Sequence, residues 1–532
     1  MVRSTNRRGF LKAGGAATGM LAANRAGLTF AQGTPGATPS PEELVYPSDP
    51  QYDQLRQAFN LRWVGSPAYV ALCSDAGQVQ QTVQQALDNG LRITVRSGNH
   101  CYEDFAVGND GGVIVDMSRM TAVGKDAGSG QYFIEAGAQL LDVYTTLDQQ
   151  YGVTLPGGSC ASVGAGGHIT GGGYGVMSRH FGLTVDYLDA VELVYVTKEG
   201  RAEVITASRE STDPDEQDLL WGHTGGGGGN FGIVTKFFFR ELPPAPAEAH
   251  IFFHQFDFDS LGQEGFRLLV QNYGNFMAEN SGVDSPYKGL FPGLAIPQAP
   301  GKIGLFGQYS GDQPELLEEY ARAIEAGLPA PSAVVSMGPW AHHRMYAQAA
   351  DISTKPWMQA TKDISGVGPA QRAKYKSAYM LQPFPDEQID VMWEFFVHPE
   401  NPNPQASIGI DGYGCQVNAV DSAATAVAQR SSILKLQYQT YWTDPADDDA
   451  NLEWIRSFYT AMYGEQGPMP DALLDGCYVN YPDVDLVDWP TLYYKDGYAR
   501  LQRVKARWDP LDIFNYAQSI QLPDAGTATP VS

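Results

Sequence analysis

Three glycine-rich stretches hold the residues whose types and spacing could do chemistry. The first is Arg96-Ser97-Gly98-Asn99-His100, the second runs from Pro156 to Gly175, and the third runs from Gly225 to Gly232. Peptide N–H groups in such turns can converge on an anion, and the absence of a Cβ lets a ligand approach the backbone. The stretches therefore favour a site for a cofactor that carries a pyrophosphate.

The stretches do not match the strict dinucleotide fingerprint. None contains Gly-x-Gly-x-x-Gly between a strand and a helix with an acidic residue about 20 positions further on, and no Walker lysine follows. Glycine runs can also be flexible linkers, although apolar segments at residues 93–95 and 233–239 adjoin the first and third stretches. The residues alone leave cofactor loops and linkers as open alternatives.

Two potential nucleophiles, His100 and Cys160, lie on different glycine stretches. In isolation, Cys160 is more typical of a disulfide or of a buried apolar thiol. His168 and His223 lie close by, but neither has the spacing of a metal ligand. We therefore interpret both as hydrogen-bonding supports and predict no metal site.

The surrounding sequence predicts elements that position these stretches. Helical spacing from Val79 to Leu87 ends at Asn89-Gly90, and the alternating residues 93–95 predict a strand that runs into the first stretch. A boundary is predicted at Pro243 to Pro246. The other predicted strands are 113–117, a hairpin over 192–205, and 250–256, 303–309, 375–380, 406–412 and 434–442; helices are predicted at 140–150, 314–326 and 449–463.

Composition limits the class of protein. With 532 residues, 43% of them hydrophobic, the chain is too long for one hydrophobic core, so we expect two or three packed regions. Acidic residues number 60 against 35 basic ones, which gives a net charge of −25. Such a surface repels phosphate backbones and anionic lipid, so we expect neither nucleic acid nor a membrane surface as a partner.

The amino terminus is typical of an export signal. Residues 7–12 are Arg-Arg-Gly-Phe-Leu-Lys, a mildly apolar stretch covers residues 13–23, and Ala31 precedes a polar segment. This pattern predicts a twin-arginine signal over residues 1–31 and a leader over residues 32–60. A membrane anchor is the alternative, but the apolar run falls short of the roughly 18 residues that a span needs. We expect export by the twin-arginine machinery to the periplasm or the cell exterior, without stable membrane insertion.

The glycine stretches and the carboxyl-terminal region together resemble a known family. Segments 96–102, 160–168, 225–235, 480–483 and 518–520 carry the resemblance. Their residues, order and spacing resemble the FAD-linked oxidases of the berberine bridge enzyme group, within the vanillyl-alcohol oxidase superfamily. Asn99 stands where that family often has Gly, and Asp512 where Asn is common.

The resemblance implies an α+β fold. It consists of a PCMH-type FAD-binding domain of two α/β subdomains and a substrate domain with a large antiparallel sheet flanked by helices. The implied ranges are an FAD-binding domain over 61–243, a substrate domain over 244–475, a berberine-bridge-type segment over 476–522 that returns to the FAD domain, and a tail over 523–532.

The resemblance also implies a doubly attached FAD. His100 resembles the histidine that bonds the flavin 8α-methyl carbon, and Cys160 resembles the cysteine that bonds flavin C6, which requires an imidazole and a thiolate at one ring edge. The other residues expected to bind FAD are Arg96, Ser97, Gly98, Asn99, Val163, Gly164, Gly167, His168, Gly171, Gly172, Gly173, Tyr174, Gly228, Asn230, Gly232, Ile233, Val234, Tyr516 and Gln518.

Tyr481 resembles the family's catalytic tyrosine, the base for a substrate hydroxyl while hydride passes to flavin N5. A phenol with a pKa of ~10 is a poor base at neutral pH, so the site must stabilise the phenolate through cations or hydrogen bonds. Tyr413 is a second candidate that could equally be a turn residue. Val163 stands where relatives that react with oxygen tend to carry valine, which favours an oxidase that makes hydrogen peroxide.

The substrate is less evident from the sequence. Doubly attached relatives act on bulky alcohols, so the expected substrate is a saccharide or a glycosylated or polycyclic alcohol, with O2 as the acceptor. The alternatives are a secondary-metabolite tailoring oxidase and a carbohydrate- or flavin-binding protein without turnover. Aromatic side chains that could stack on rings, although most are typical of a core, are Trp340, Tyr346, Trp357, Trp393, Tyr413, Tyr441 and Trp442.

The cysteines are five, an odd number. If flavin takes Cys160, the four that remain can form zero, one or two disulfides. These four are Cys73, Cys101, Cys415 and Cys477.

Overall fold

The computed structural model describes residues 44–332, 352–365 and 368–524. The predicted export signal, residues 32–43 of the leader and most of the tail lie outside these residues, as do Trp340 and Tyr346. The helices are α1 Tyr52–Leu55, α2 Ala76–Asp88, α3 Leu140–Tyr151, α4 Ala165–Thr170, α5 Ser178–Phe181, α6 Pro214–Gly222, α7 Phe258–Asn280, α8 Glu315–Glu325, α9 Trp357–Ile364, α10 Asp386–Val397, α11 Asp448–Tyr463, α12 Trp489–Tyr494 and α13 Tyr498–Trp508.

Three sheets organise the strands. The strands are β1 Leu44–Val45, β2 Tyr69–Leu72, β3 Ile93–Arg96, β4 Val113–Asp116, β5 Val123–Lys125, β6 Tyr132–Glu135, β7 Leu188–Val196, β8 Ala202–Ser208, β9 Ile233–Phe239, β10 Glu248–Phe256, β11 Leu290–Pro297, β12 Ile303–Tyr309, β13 Ser353–Pro356, β14 Arg372–Met380, β15 Ser407–Gly412 and β16 Leu434–Trp442.

The first sheet has the order β1-β2-β4-β3, with β2, β4 and β3 parallel. Helix α2 connects β2 to β3. It begins after Asp75, whose carboxylate accepts the Gln78 backbone N–H at 2.8 Å. The helix ends at the predicted Asn89-Gly90 stop, where Gly90 has a φ of +64°. Strand β3 ends in the first glycine stretch, which therefore lies at the carboxyl edge of the sheet.

The second sheet has the order β5-β6-β9-β7-β8 and is antiparallel. The predicted hairpin is confirmed as β7 and β8. The third glycine stretch lies between α6 and β9, and α4 lies inside the second stretch. Both stretches therefore join elements of packed α/β regions, which excludes the linker alternative.

The third sheet is antiparallel and has the order β13-β10-β12-β11-β15-β16-β14. The predicted strands of this region are confirmed, and helices α8 and α11 pack on the sheet. The sequence patterns did not indicate β11, which runs through Pro292 in the middle of the sheet. Proline has no N–H to donate and normally argues against a central strand. The α+β fold with its large antiparallel sheet is confirmed.

The pairing of β15, β16 and β14 aligns polar residues on one sheet face. Lys435 pairs with Asp411, and Gln439 pairs with Tyr375. Because side chains alternate along a strand, Lys435, Gln437, Gln439 and Tyr441 of β16 all point to that face. This face forms one wall of the site described below.

The carboxyl-terminal segment packs on the third glycine stretch. Lys505 of α13 is fully buried, and its Nζ donates to the Asn230 backbone oxygen at 3.0 Å and the Phe514 oxygen at 2.7 Å. The Asp509 carboxylate, 2.6 Å away, compensates the buried charge. The segment after α13 therefore lies against the glycine stretch.

Some structural features are absent from the described residues. No helix among residues 44–332, 352–365 and 368–524 is long and apolar enough to cross a membrane. Within the same ranges no group of three His, Cys, Asp or Glu side chains could hold a metal ion. All five cysteines lie in this part of the chain, and none is paired in a disulfide.

Candidate active site

A cavity of about 370 Å³ lies where the three glycine stretches meet the polar face of the third sheet. This volume is typical of a small-molecule site. The predicted site residues that line it are Arg96, Ser97, Gly98, Asn99, His100, Cys160, Val163, Gly164, Gly167, His168, Tyr174, Gly228, Gly232, Val234, Tyr481, Tyr516 and Gln518. The predicted residues that do not line it are Gly171, Gly172, Gly173, Asn230, Ile233 and Tyr413.

The first glycine stretch presents Asn99 and His100. Asn99 has a φ of +64°, a left-handed conformation that Asn tolerates better than most residues, which explains how it replaces the family's usual Gly. The His100 ring stacks on Phe59 with centroids 4.4 Å apart, and its Nε2 lies 2.7 Å from Ser162 Oγ. These contacts orient the imidazole at the cavity wall.

Cys160 approaches the same cavity from the second stretch. Burial raises the pKa of its thiol to about 11. His168, on α4, has its pKa lowered to about 4, chiefly by burial. The neutral ring accepts the Gly158 N–H at Nε2, 2.9 Å away, so His168 supports the loop as predicted.

The glycines serve two purposes. A Cβ on Gly98 would lie 2.1 Å from the Gly164 nitrogen, so these two glycines let the first and second stretches pack backbone to backbone. A Cβ on Gly167 would meet nothing within 4 Å, which leaves open space at the cavity. Asn99 Oδ1 is buried without a hydrogen-bond partner. The open backbone and the unpaired acceptor fit the flavin dinucleotide that the resemblance implies.

Two of the predicted residues that do not line the cavity, Asn230 and Tyr413, contact the segments that do. Asn230 Nδ2 donates to the Gly226 oxygen at 2.9 Å, and its Oδ1 accepts the Ile520 N–H at 2.8 Å. Tyr413 is fully buried, packs on Tyr174 and donates to the Gln429 oxygen at 3.1 Å. The structure therefore does not bring Tyr413 to the cavity.

Three predicted residues use the polar atoms of their side chains to hold neighbouring parts of the chain. Arg96 donates through Nε to the Asp116 carboxylate at 2.7 Å, so its charge is already neutralised within the first sheet. Gln518 donates to the Asp483 backbone oxygen at 2.8 Å. Tyr516 donates to the Gly228 oxygen at 3.1 Å and so holds the third glycine stretch.

Tyr481 and Lys435 form the reactive centre of the cavity. Lys435 Nζ donates to Tyr481 Oη at 3.0 Å and lies 4.2 Å from the centre of its ring. Burial lowers the pKa of Lys435 to about 8, and Asp411, 3.7 Å away, opposes that shift. Burial, with Tyr102 and Asp411 nearby, raises the pKa of Tyr481 well above its ordinary value. The Lys435 ammonium acts in the opposite direction, because a cation next to a buried phenol favours its deprotonated form.

A wall of amide and aromatic side chains extends from this centre. Gln437 Nε2 donates to Tyr102 Oη at 2.8 Å, and Tyr102 stacks on Tyr375. Tyr441 Oη donates to Gln439 Oε1 at 3.0 Å and meets Tyr375 edge to face. From Lys435 to Tyr441 the strand spans about 20 Å. Amides can bind hydroxyls there, and the rings can stack on a sugar or an aglycone.

Sequence reasoning missed Lys435, Asp411, Tyr102 and Gln437. A signal for Lys435 existed, because it is the one charged residue in β16, a strand of otherwise apolar and uncharged polar residues. Of the other predicted aromatics in the described residues, Trp357, Trp393 and Trp442 do not line the cavity, and Trp393 packs on Phe266. Only Tyr441 of that set lines the cavity.

Comparison with known protein families gives two matches. Residues 67–205 match a family described as FAD binding domain. Residues 477–521 match a family described as berberine and berberine like. The two matches cover the glycine stretches before residue 205 and the loop that carries Tyr481.

Similar proteins extend over nearly the whole chain. Aclacinomycin-N/aclacinomycin-A oxidase of Streptomyces galilaeus is 38% identical over 498 residues, 88% of each chain. Hexose oxidase of Chondrus crispus is 34% identical over 512 residues, 89% of this chain and 93% of that protein. The crystal structure of a glycopeptide hexose oxidase complexed with teicoplanin has a TM-score of 0.83 at 38% identity, with 90% of this chain and 98% of that chain covered. The protein therefore belongs to the berberine bridge enzyme-like family and is an FAD-linked oxidoreductase.

Proposed function

We propose that this enzyme oxidises an alcohol or hemiacetal carbon of a sugar or glycoside and passes the electrons to O2. The observation that carries the proposal is the Tyr481 hydroxyl, held 3.0 Å from Lys435 Nζ in the cavity that His100 and Cys160 also line. The relatives named for hexose and for a glycopeptide hexose support the substrate class.

The residues divide the reaction between them. Tyr481 Oη accepts the proton of the substrate hydroxyl, and the Lys435 ammonium stabilises the phenolate that does so. FAD, when bound, supplies the acceptor for the hydride at N5 and the route by which two electrons reach oxygen to give hydrogen peroxide. The substrate loses one hydride and one proton and becomes a ketone, or a lactone if it began as a hemiacetal.

The polar wall binds the substrate in this proposal. Gln437 and Gln439 donate to sugar hydroxyls close to the reacting carbon, while Tyr375 and Tyr441 stack on a neighbouring ring. Val163, at the cavity, leaves room for oxygen beside the flavin. Hydrogen peroxide formation with a panel of mono- and oligosaccharides tests the proposal, and a protein that oxidises none of them contradicts it.

A second candidate is the oxidation of a glycosylated secondary metabolite, including oxidative C–C or C–N bond formation. The aromatic wall of Tyr102, Tyr375 and Tyr441 favours it, because three rings exceed what a single sugar needs. The relative named for aclacinomycin adds support. Comparing kcat/KM for free sugars with that for aromatic glycosides and amines separates the two candidates.

We infer that His100 and Cys160 attach the flavin covalently, at the 8α-methyl carbon and at C6. Their presence in one cavity on opposing glycine stretches supports this. Each attachment replaces one flavin hydrogen and releases two electrons, which oxygen accepts. The thiol must first lose its proton, and its raised pKa of about 11 makes that step dependent on pH.

Acid-precipitated protein is expected to stay yellow in the wild type and in the single variants His100→Ala and Cys160→Ala, but to lose its flavin in the double variant. In His100→Ala, the rate of attachment should rise about tenfold per pH unit below pH 11, because only the thiolate reacts. The double variant His100→Ala/Cys101→Ala is the matched control and should stay yellow. Flavin in the wild-type supernatant contradicts the inference.

We propose that residues 1–31 direct export by the twin-arginine machinery to the periplasm or cell exterior. The adjacent Arg7 and Arg8 before a weakly apolar run support this. The variant Arg7→Lys/Arg8→Lys is expected to remain in the cytoplasm with its flavin bound. Equal amounts of wild type and variant in the exported fraction would refute the proposal.

A further inference from the structure

A cluster of charged side chains is buried behind the cavity, where three parts of the chain meet. Lys374 Nζ lies 2.5 Å from Glu103 Oε1 and 2.6 Å from Asp483 Oδ1. Lys376 Nζ lies 2.7 Å from Asp483 Oδ2 and 3.0 Å from Asp485. Arg456, whose side chain is 45% exposed, pairs with Asp485 at 2.9 Å on the solvent side of the cluster.

The burial of this cluster distinguishes it from a surface ion pair. The side chains of Lys374, Glu103 and Asp483 are 2%, 1% and 1% exposed. Exposed pairs contribute little, whereas removing one member of a buried pair leaves a charge without compensation. The positions of the Lys374 ammonium and of the Glu103 and Asp483 carboxylates are therefore tightly coupled to one another.

The carboxylates of Glu103, Asp483 and, at 3.4 Å, Asp485 lie around the Lys374 ammonium, and they belong to the two loops of the reactive centre. Glu103 directly follows Tyr102, whose Oη accepts the Gln437 amide at 2.8 Å. Asp483 lies two residues after Tyr481, and the rings of Tyr102 and Tyr481 are 5.4 Å apart. The Lys374 ammonium thus connects the residue that follows Tyr102 with the segment that follows Tyr481.

Strand β14 sets where that ammonium lies. Tyr375 lines the cavity, whereas Lys374 and Lys376 do not, because neighbouring side chains of a strand alternate in direction. The Tyr102 backbone oxygen also accepts the Asn60 side-chain amide at 2.8 Å. The Tyr102 loop is therefore held from two directions. Two contacts of Glu103 Oε1 link it to the Tyr481 loop: the short one to the Lys374 ammonium, and a longer hydrogen bond that the Val484 N–H donates at 3.4 Å.

We propose that Lys374 is a positioning residue that sets the spacing between the Tyr102 and Tyr481 loops and so keeps Tyr481 Oη at Lys435 Nζ. The proposal rests on the function proposed above, in which Tyr481 is the base. Lys374 does not line the cavity, and its effect on the reaction passes through the carboxylates around it.

The variant Lys374→Met keeps the length of the side chain and removes the charge. Per bound flavin, kcat is expected to fall about 10- to 100-fold, because displacement of a reacting group by about 1 Å has effects of that size. KM should stay within a few-fold of wild type, and the ascending limb of the kcat–pH profile should move to higher pH as Tyr481 loses its alignment with Lys435. Lys374→Arg, which keeps the charge, should recover part of kcat.

Arg372→Met is the matched control. Arg372 lies on the same strand and pairs with Asp448, 2.6 Å from its Nε, and neither residue lines the cavity. We expect this variant to lose thermal stability and keep the wild-type kcat and pH profile. A wild-type kcat in Lys374→Met, equal losses of kcat in both variants, or a change in KM alone would overturn the proposal.

Two further variants keep the test decisive. If Lys374→Met does not accumulate as a flavoprotein, Glu103→Gln and Asp483→Asn remove charge at nearly constant shape and are judged by the same criteria. Tyr481→Phe is assayed alongside. A wild-type kcat in Tyr481→Phe refutes the base and the positioning role together, whereas a low kcat there beside a wild-type kcat in Lys374→Met refutes the positioning role alone.

Discussion

Replacing Tyr481 by phenylalanine is expected to lower kcat by about 10²- to 10⁴-fold, the contribution typical of a general base. The change removes the oxygen that accepts the substrate proton and keeps the ring, which packs 5.4 Å from Tyr102 and 5.0 Å from Tyr478. The variant should therefore bind flavin and substrate as the wild type does. Steady-state kcat and KM per bound flavin measure the effect.

Tyr320→Phe is the control for the loss of a buried phenol hydroxyl. Tyr320 of α8 is fully buried and donates to the Phe306 oxygen of β12 at 3.2 Å. Its replacement should cost about 1 kcal/mol of unfolding free energy and leave kcat unchanged. If Tyr481→Phe retained wild-type kcat, or lost kcat only to the extent of Tyr320→Phe, Tyr481 would not be the base.

Replacing Lys435 by methionine is expected to move the ascending limb of the kcat–pH profile upward by about one to three pH units, the usual effect of one nearby opposite charge. Lys435 is 1% exposed, and its ammonium favours the Tyr481 phenolate. Without it, the pKa of Tyr481 rises further, so less phenolate exists at any given pH. At a fixed neutral pH, kcat should fall about tenfold for each unit of that shift.

Lys435→Arg provides the comparison that keeps the charge. It should retain a limb close to that of the wild type, although a planar guanidinium reaches Tyr481 with a different geometry. The decisive quantity is the position of the limb. An unchanged limb in Lys435→Met would show that the ammonium does not control the base.

The sequence patterns predicted the scaffold well where each element follows its own periodicity. Helix α2 with its Asn89-Gly90 stop and strand β16 lie close to where they were expected. Strand β11 was missed because Pro292 contradicts the rule for central strands. The pairing of β11 with β15 begins only at Gly293, so Pro292 is paired on one side alone, with Gly307 of β12.

The candidate site was predictable only where a motif marks it. His100, Cys160 and Tyr481 stand in recognisable segments, and the structure brings them to one cavity. Lys435 has no motif, and its role depends on a pairing of β16 with β15 that no local pattern contains. Tyr413, by contrast, has a suggestive local sequence but packs behind Tyr174.

The cysteines show the same dependence on tertiary structure. Sequence alone allowed zero, one or two disulfides among the four cysteines other than Cys160. The structure leaves all five of the chain's cysteines, each within the described ranges, without a disulfide. Burial raises the pKa of Cys101 to about 12 and that of Cys160 to about 11, so thiol acidity does not distinguish the two, and only the motif singles out Cys160.

Anaerobic reduction of the flavin tests the central claim most directly. Wild type and Tyr481→Phe are each mixed without oxygen with a panel of sugars and aromatic glycosides, and loss of the yellow colour is followed in time. We expect at least one alcohol substrate to bleach the wild type rapidly and Tyr481→Phe about 10² to 10⁴ times more slowly, with colour and hydrogen peroxide appearing when oxygen is admitted. Equal bleaching rates in the two proteins, or no bleaching of the wild type by any substrate, would contradict the account.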